Sequence, residues 1–294
     1  MAASIAEQTV PIERPPWYYR RNAWAFVLDM AFFHIGISFI GGSTVWPAFI
    51  ATLTDSVVMV GVASGVWSGA WMLPQLFVAS YVTRMPRKQP FVARTAWLSR
   101  PVLLVIGLVT WLYGATAPTL ALAVAIAGVF VFFVFDAIVS VPWFDLLARG
   151  LPARRRGRIQ GLGQVVGGVG GIGAGMAVRY ILSDGSPWRY PANYGLLFLL
   201  ATLILALSSL AISFIYEPEG PALDAHALSV REVLASLPRV IAQDRAFLKL
   251  IVVRIVSGFV GIGSAFYVLH AMRNLGFSAD STGLFVSAQV AGSL

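Results

Sequence analysis

Ionisable side chains interrupt the apolar runs of this 294-residue chain, and those set deepest are Asp29 and His34 in the first run, Arg100 in the third and Asp136 in the fourth. A charge at the middle of a bilayer costs about 2.5 to 3.5 kcal/mol on insertion scales, so such a group needs a partner, water or a neutral form. Counting about 1.5 Å per residue along a helix, Asp29 and Arg100 fall at similar depths, with His34 and Asp136 deeper. This spacing predicts an Asp29 to Arg100 ion pair and a polar site formed by His34 and Asp136. Two carboxylates, an imidazole and a fixed cation suit proton coupling or contact with a solute. The plainer alternative is a set of paired structural groups.

The elements that must position these residues are apolar runs over 23–50, 56–83, 95–114, 118–148, 159–182, 192–216, 250–270 and 282–294. A helix crossing about 30 Å of hydrocarbon needs about 20 mostly apolar residues. Hydrophobic residues make up 58% of the chain and charged residues 12%, and mean hydropathy is +0.78. A water-soluble core has no way to hide so many helices that are apolar on every side. The prediction is an all-α polytopic transmembrane bundle of about eight spans.

Charge alternates between the gaps. Arg14, Arg20 and Arg21 precede the first run; Arg84, Arg87, Lys88 and Arg94 follow the second; Arg149, Arg154, Arg155, Arg156 and Arg158 follow the fourth; Arg231, Arg239, Arg245 and Lys249 follow the sixth. The other gaps are almost bare. This positive-inside pattern places the N-terminus in the cytoplasm and the chain in the inner cell membrane as a multi-pass protein. It also accounts for the net charge of +8, with the basic residues facing anionic membrane lipids and no nucleic acid as partner. The organisation read from the runs is a cytoplasmic tail (1–22), a six-helix bundle (23–216), a central linker (217–245) and two further spans (246–294). Within the linker, Val230, Val233, Leu234, Leu237, Val240 and Ile241 recur at helical spacing, predicting an amphipathic helix broken or kinked at Pro238. The short eighth run predicts a natural chain that continues past Leu294.

Several chemistries are excluded by composition. There is no cysteine, so thiolate catalysis and cysteine-ligated metals are excluded. His34, His226 and His270 are too scattered for a metal site, and neither a catalytic constellation nor a cofactor motif is expected. Gly168-x-Gly170-x-x-Gly173 spells a dinucleotide fingerprint but lies inside an apolar span with no preceding strand, which fails the context the motif requires. Gly163, Gly167, Gly171 and Gly175 stand four apart in the fifth run, a spacing that lets another backbone approach closely. Trp24 and Trp46, near the ends of the first run, read as interface anchors.

The second basic gap, Ala79-Ser-Tyr-Val-Thr83-Arg84-Met-Pro86-Arg87-Lys88, resembles the loop signature of the major facilitator superfamily, Gly-x-x-x-Asp-Arg-x-Gly-Arg-Arg/Lys. Arg84, Arg87 and Lys88 match; Ala79, Thr83 and Pro86 replace its glycine, aspartate and second glycine. The stretch from Asp145 through Pro152 to Arg156-Gly157-Arg158 is similar to the family's fourth-to-fifth connection, which precedes a glycine-rich helix. Asp244 to Tyr267 looks like the family's entry into its seventh span. The resemblance implies the N-terminal bundle and the start of the C-terminal bundle of a secondary transporter, with the remaining C-terminal bundle its partner in cis. It implies alternating access for a small-molecule solute, coupled to protons, with Asp29, His34 and Asp136 facing the central cavity. A second class, a polytopic enzyme acting on a lipid or isoprenoid carrier, is disfavoured because such enzymes gather reactive groups near one interface.

Overall fold

A computed structural model describes residues 16–82, 85–219 and 230–294. Most of the expected tail, Thr83 and Arg84 of the basic loop, and residues 220–229 of the linker lie outside the described residues. The helices are α1 (Tyr19–Ser38), α2 (Val45–Leu53), α3 (Val57–Val82), α4 (Gln89–Tyr113), α5 (Pro118–Gly150), α6 (Ala153–Leu182), α7 (Ala192–Ser213), α8 (Val230–Gln243), α9 (Arg245–Ile262), α10 (Ser264–Asn274) and α11 (Ser281–Ser293). No strand occurs among the described residues.

Four helices, α4 to α7, are long and apolar enough to cross a membrane. Their outward faces are apolar, with Leu104 and Leu112 on α4, Phe130 on α5, Val169 on α6 and Leu203 on α7 all exposed. Water does not tolerate such extensive apolar patches on a monomer, so the chain is an all-helical, membrane-embedded protein.

The apolar runs do not map one to one onto helices. The first run divides into α1 and α2 around Gly41-Gly42, where helix propensity is lowest, and α1 carries Arg20, Arg21 and Asp29. The seventh divides at Gly263 into α9 and α10. Helix α10 ends at Asn274, and the chain turns away at Gly276, whose φ of +73° suits the residue without a Cβ. In the linker, α8 continues through Pro238 without interruption.

Helix α1 packs on α6 and α7, α4 lies against both α5 and α7, α3 against α5, and α11 against α6. Two apolar cores result. One gathers Trp46, Phe49, Leu103, Phe132, Tyr194 and Phe198; the other gathers Phe26, Val92, Leu146, Leu147 and Ile212. Trp46 is therefore no interface anchor: it is fully buried and donates from Nε1 to the Ala63 carbonyl at 3.1 Å. Trp24, at 61% exposed, faces outward.

The glycine ladder of α6 serves two neighbours. A Cβ at Gly163 would meet Met30 at 2.9 Å, and one at Gly167 would meet His34 at 2.9 Å, both on α1. A Cβ at Gly171 would meet Ser38 of α1 at 2.8 Å and Val290 of α11 at 3.3 Å, while one at Gly175 would meet the Gly283 carbonyl of α11 at 2.7 Å. Gly173, on another face, has nothing within 4 Å.

One end of the bundle is tied by the buried Asn22. Its Nδ2 donates to the Gly150 and Tyr216 carbonyls at 3.2 and 2.8 Å, and its Oδ1 accepts from the Tyr216 amide at 2.8 Å. The start of α1, the end of α5 and the exit of α7 are thereby held together. Glu217 Oε2 accepts from the Lys88 and Gln89 amides at 2.8 and 2.9 Å, satisfying free donors at the start of α4. Basic gaps far apart in sequence thus share one end of the molecule.

Candidate functional site

Behind that basic end, α1, α3, α4, α5, α6 and α7 enclose a cavity of about 460 Å³. Asp29, His34, Arg100 and Asp136 all line it, joined by Trp71, Trp143, Gln160, Gln164 and Ser208. Helical spacing explains how each element presents its polar groups. Asp136 and Trp143 are seven residues apart on α5 and Gln160 and Gln164 four apart on α6, so each pair shares a face.

Asp29 is buried, and each carboxylate oxygen accepts one hydrogen bond. Ser208 donates to Oδ1 and Trp143 Nε1 to Oδ2, both at 2.7 Å. Arg100, 4% exposed, donates from Nε to Ser209 Oγ at 2.8 Å, and its guanidinium lies 5.7 Å from the centre of the Phe132 ring. Its Nη1 is buried with no hydrogen-bond partner. Asp136 Oδ2 accepts from Trp71 Nε1 at 3.0 Å. His34, exposed, places Nδ1 2.7 Å from the Met30 carbonyl, so that nitrogen carries the proton and Nε2 is left free of it in the neutral ring.

One expectation is met and one needs correction. Asp29 and Arg100 do not form a direct ion pair; the adjacent hydroxyls of Ser208 and Ser209 stand between them as partners, one for each charge. His34 and Asp136 do line one cavity, as expected, without a hydrogen bond between them. The charges still act on one another across the space: both carboxylates attract Arg100 and they repel each other. With both acids ionised the cavity holds one negative charge in excess, which a single proton or monovalent cation neutralises.

The sequence reading missed Trp71, Trp143, Ser208 and Ser209. The serines carried a signal, an adjacent hydroxyl pair within an apolar helix; the tryptophans carried none that separates a hydrogen-bond donor from packing. No cluster of His, Asp and Glu able to hold a metal occurs among the described residues.

The loop residues occupy a separate site at the basic end. Lys88, buried, pairs with Asp145, which also forms an ion pair with Arg149 Nε at 3.1 Å. Arg156 donates to the Leu151 carbonyl at 3.0 Å and to that of Ala148. Arg87 is exposed, and Arg158 lines an outer groove between α1 and α6.

A larger cavity of about 760 Å³ has no ionisable side chain among the described residues that line it. Its wall includes Ser43, Ser64, Trp67, Ser68, Phe266 and Gln289, and Ser43 donates to Gln289 at 2.9 Å. The chain matches no protein-family model and none of the curated proteins.

Proposed function

We propose that this chain is a secondary active transporter of the major facilitator type, with α1 to α7 forming its first six-span bundle and α9 to α11 beginning a second. It moves a small solute across the inner membrane by alternating access, driven by protons, with its N-terminus in the cytoplasm. The observation that carries this reading is the charged cavity. Two acids and an arginine are held by hydrogen bonds from neighbouring helices in a membrane-embedded bundle. Ionisable groups are kept at such depth chiefly where ions or protons pass.

In mechanistic terms, a proton arriving at Asp136 removes the excess negative charge and weakens the pull on Arg100. The helices that present these groups, α4 and α5, then lose an electrostatic restraint. Gly163, Gly167 and Gly171 hold α1 and α6 together within the first bundle, while Gly175 and Gly283 give α6 and α11 a close seam along which the two bundles rock.

The test is reconstitution of the full-length protein in liposomes, with a panel of solutes offered at two pH values and an imposed potential. One charge moved across 100 mV supplies about 2.3 kcal/mol, so coupled uptake reaches roughly fiftyfold accumulation. Asp136→Asn is expected to abolish that accumulation while leaving membrane insertion and downhill exchange intact. An unchanged pH dependence in the variant removes Asp136 as the coupling residue.

A further inference from the structure

Three arginines converge on an apolar groove at the basic end. Arg20 comes from the first turn of α1, and Arg155 and Arg158 come from the first two turns of α6. With Tyr19, Trp24 and Leu162 they line a cavity of about 440 Å³. All three arginines are exposed, and the Arg155 guanidinium lies 4.9 Å from the centre of the Tyr19 ring. Among the described residues none of the three has a carboxylate in ion-pair contact. Of the acids at this end, Asp145 pairs with Lys88 and Arg149, and Glu217 Oε2 accepts from the amides that open α4. Arg156, in the same run, is turned away toward the Leu151 and Ala148 carbonyls.

The groove has two chemically distinct parts. Its basic rim presents planar guanidiniums, which match phosphate oxygens bidentately. Its floor is apolar, with Val27 and Ile159 buried beneath Trp24 and Leu162, which are 61% and 44% exposed. At about 1.5 Å per residue the 30 residues of α6 exceed the hydrocarbon thickness by several turns. The arginines at its start therefore stand in the headgroup layer and Leu162 nearer the acyl chains.

We propose that this groove binds an anionic phospholipid, its phosphate held by Arg20, Arg155 and Arg158 and an acyl chain lying against Trp24 and Leu162. A lipid fits better than a free anion, because charge and apolar surface are continuous along one seam between α1 and α6. The site needs only a chain embedded in a bilayer, so it stands or falls apart from the transport reading.

The experiment is native mass spectrometry of the full-length protein taken from nanodiscs of mixed phosphatidylglycerol and phosphatidylcholine. The wild type is expected to retain phosphatidylglycerol selectively. Arg155→Gln with Arg158→Gln is expected to lose that selectivity roughly thirtyfold, at about 1 kcal/mol for each basic side chain near the surface. Lys249→Gln, a basic residue outside the groove, is expected to leave it unchanged. Should the double variant be unstable, the single Arg158→Gln variant is read the same way. Equal retention of the two lipids, or selectivity surviving in the arginine variants, overturns the proposal. So does full displacement of the lipid by inorganic phosphate, which would mark a simple anion site. Selectivity arising only after residues 1–15 are deleted would instead assign the groove to that tail, which carries Glu7 and Glu13.

Discussion

Asp29 meets a donor on each of its oxygens, and this is where single substitutions act most directly. Hydrogen bonds to a charged group contribute about 1.5 to 3 kcal/mol each, so Trp143→Phe is expected to lower stability by that amount in a detergent melt. A melt within about 0.5 kcal/mol of wild type would show that the indole is not holding the acid. Lys88 offers a second case. Its side chain is 5% exposed against 34% for Asp145, so Asp145→Asn leaves a buried ammonium with no ionised partner, at a cost near the lower end of about 3 to 5 kcal/mol. Exchanging the two residues should recover much of the loss; no recovery would mean that packing rather than charge dominates. Arg100 shows what could and could not be read at this scale. Its isolation in an apolar run announced a role inside the bundle, yet its partner, Ser209, depends on which helix lies beside α4. Nothing in residues 95–114 encodes that neighbour.

Among the helices, α6 shows how sequence spacing becomes contact. Four glycines in steps of four mark a face for close approach, and the structure assigns three of its positions to α1 and the last to α11. Gly283→Ala puts a Cβ 2.3 Å from the Arg179 amide and the Gly175 carbonyl, both backbone atoms with no freedom to yield. It is expected to separate α11 from α6 and break the Ser287 hydroxyl bond to the Ile172 carbonyl, now 3.1 Å. Gly173→Ala meets no neighbour and is expected to be neutral or to stabilise the helix by up to about 1 kcal/mol. A cysteine pair introduced across the α6 to α11 seam in this cysteine-free chain reads the difference by crosslinking yield. Equal yields in the two variants would contradict the assignment. Helix boundaries were legible where proline or a basic cluster intervened, as before α5 and α6. They were not legible at Gly41-Gly42 and Gly263, because an apolar run carries the same hydropathy whether or not its backbone stays continuous.

The whole molecule gathers its basic gaps at one end through Asn22 and Glu217, and it exposes leucine, valine and phenylalanine around its girth. Both features follow from solvation: arginine stays with water and headgroups while apolar faces meet lipid. Hydropathy and charge therefore disclosed the broad architecture. Lateral order among the helices, and so the meeting of Asp29 with Trp143 or of Asp136 with Trp71, depends on side-chain fit between elements distant in sequence.

Trp67 and Trp71 stand one turn apart on α3. The first forms part of the wall of the uncharged cavity; the second holds Asp136. Residues one turn apart share a helix face, so a movement of α3 as a body carries both indoles together. Trp67→Ala enlarges one chamber and spares the indole bond in the other, and the two spaces can be altered one at a time.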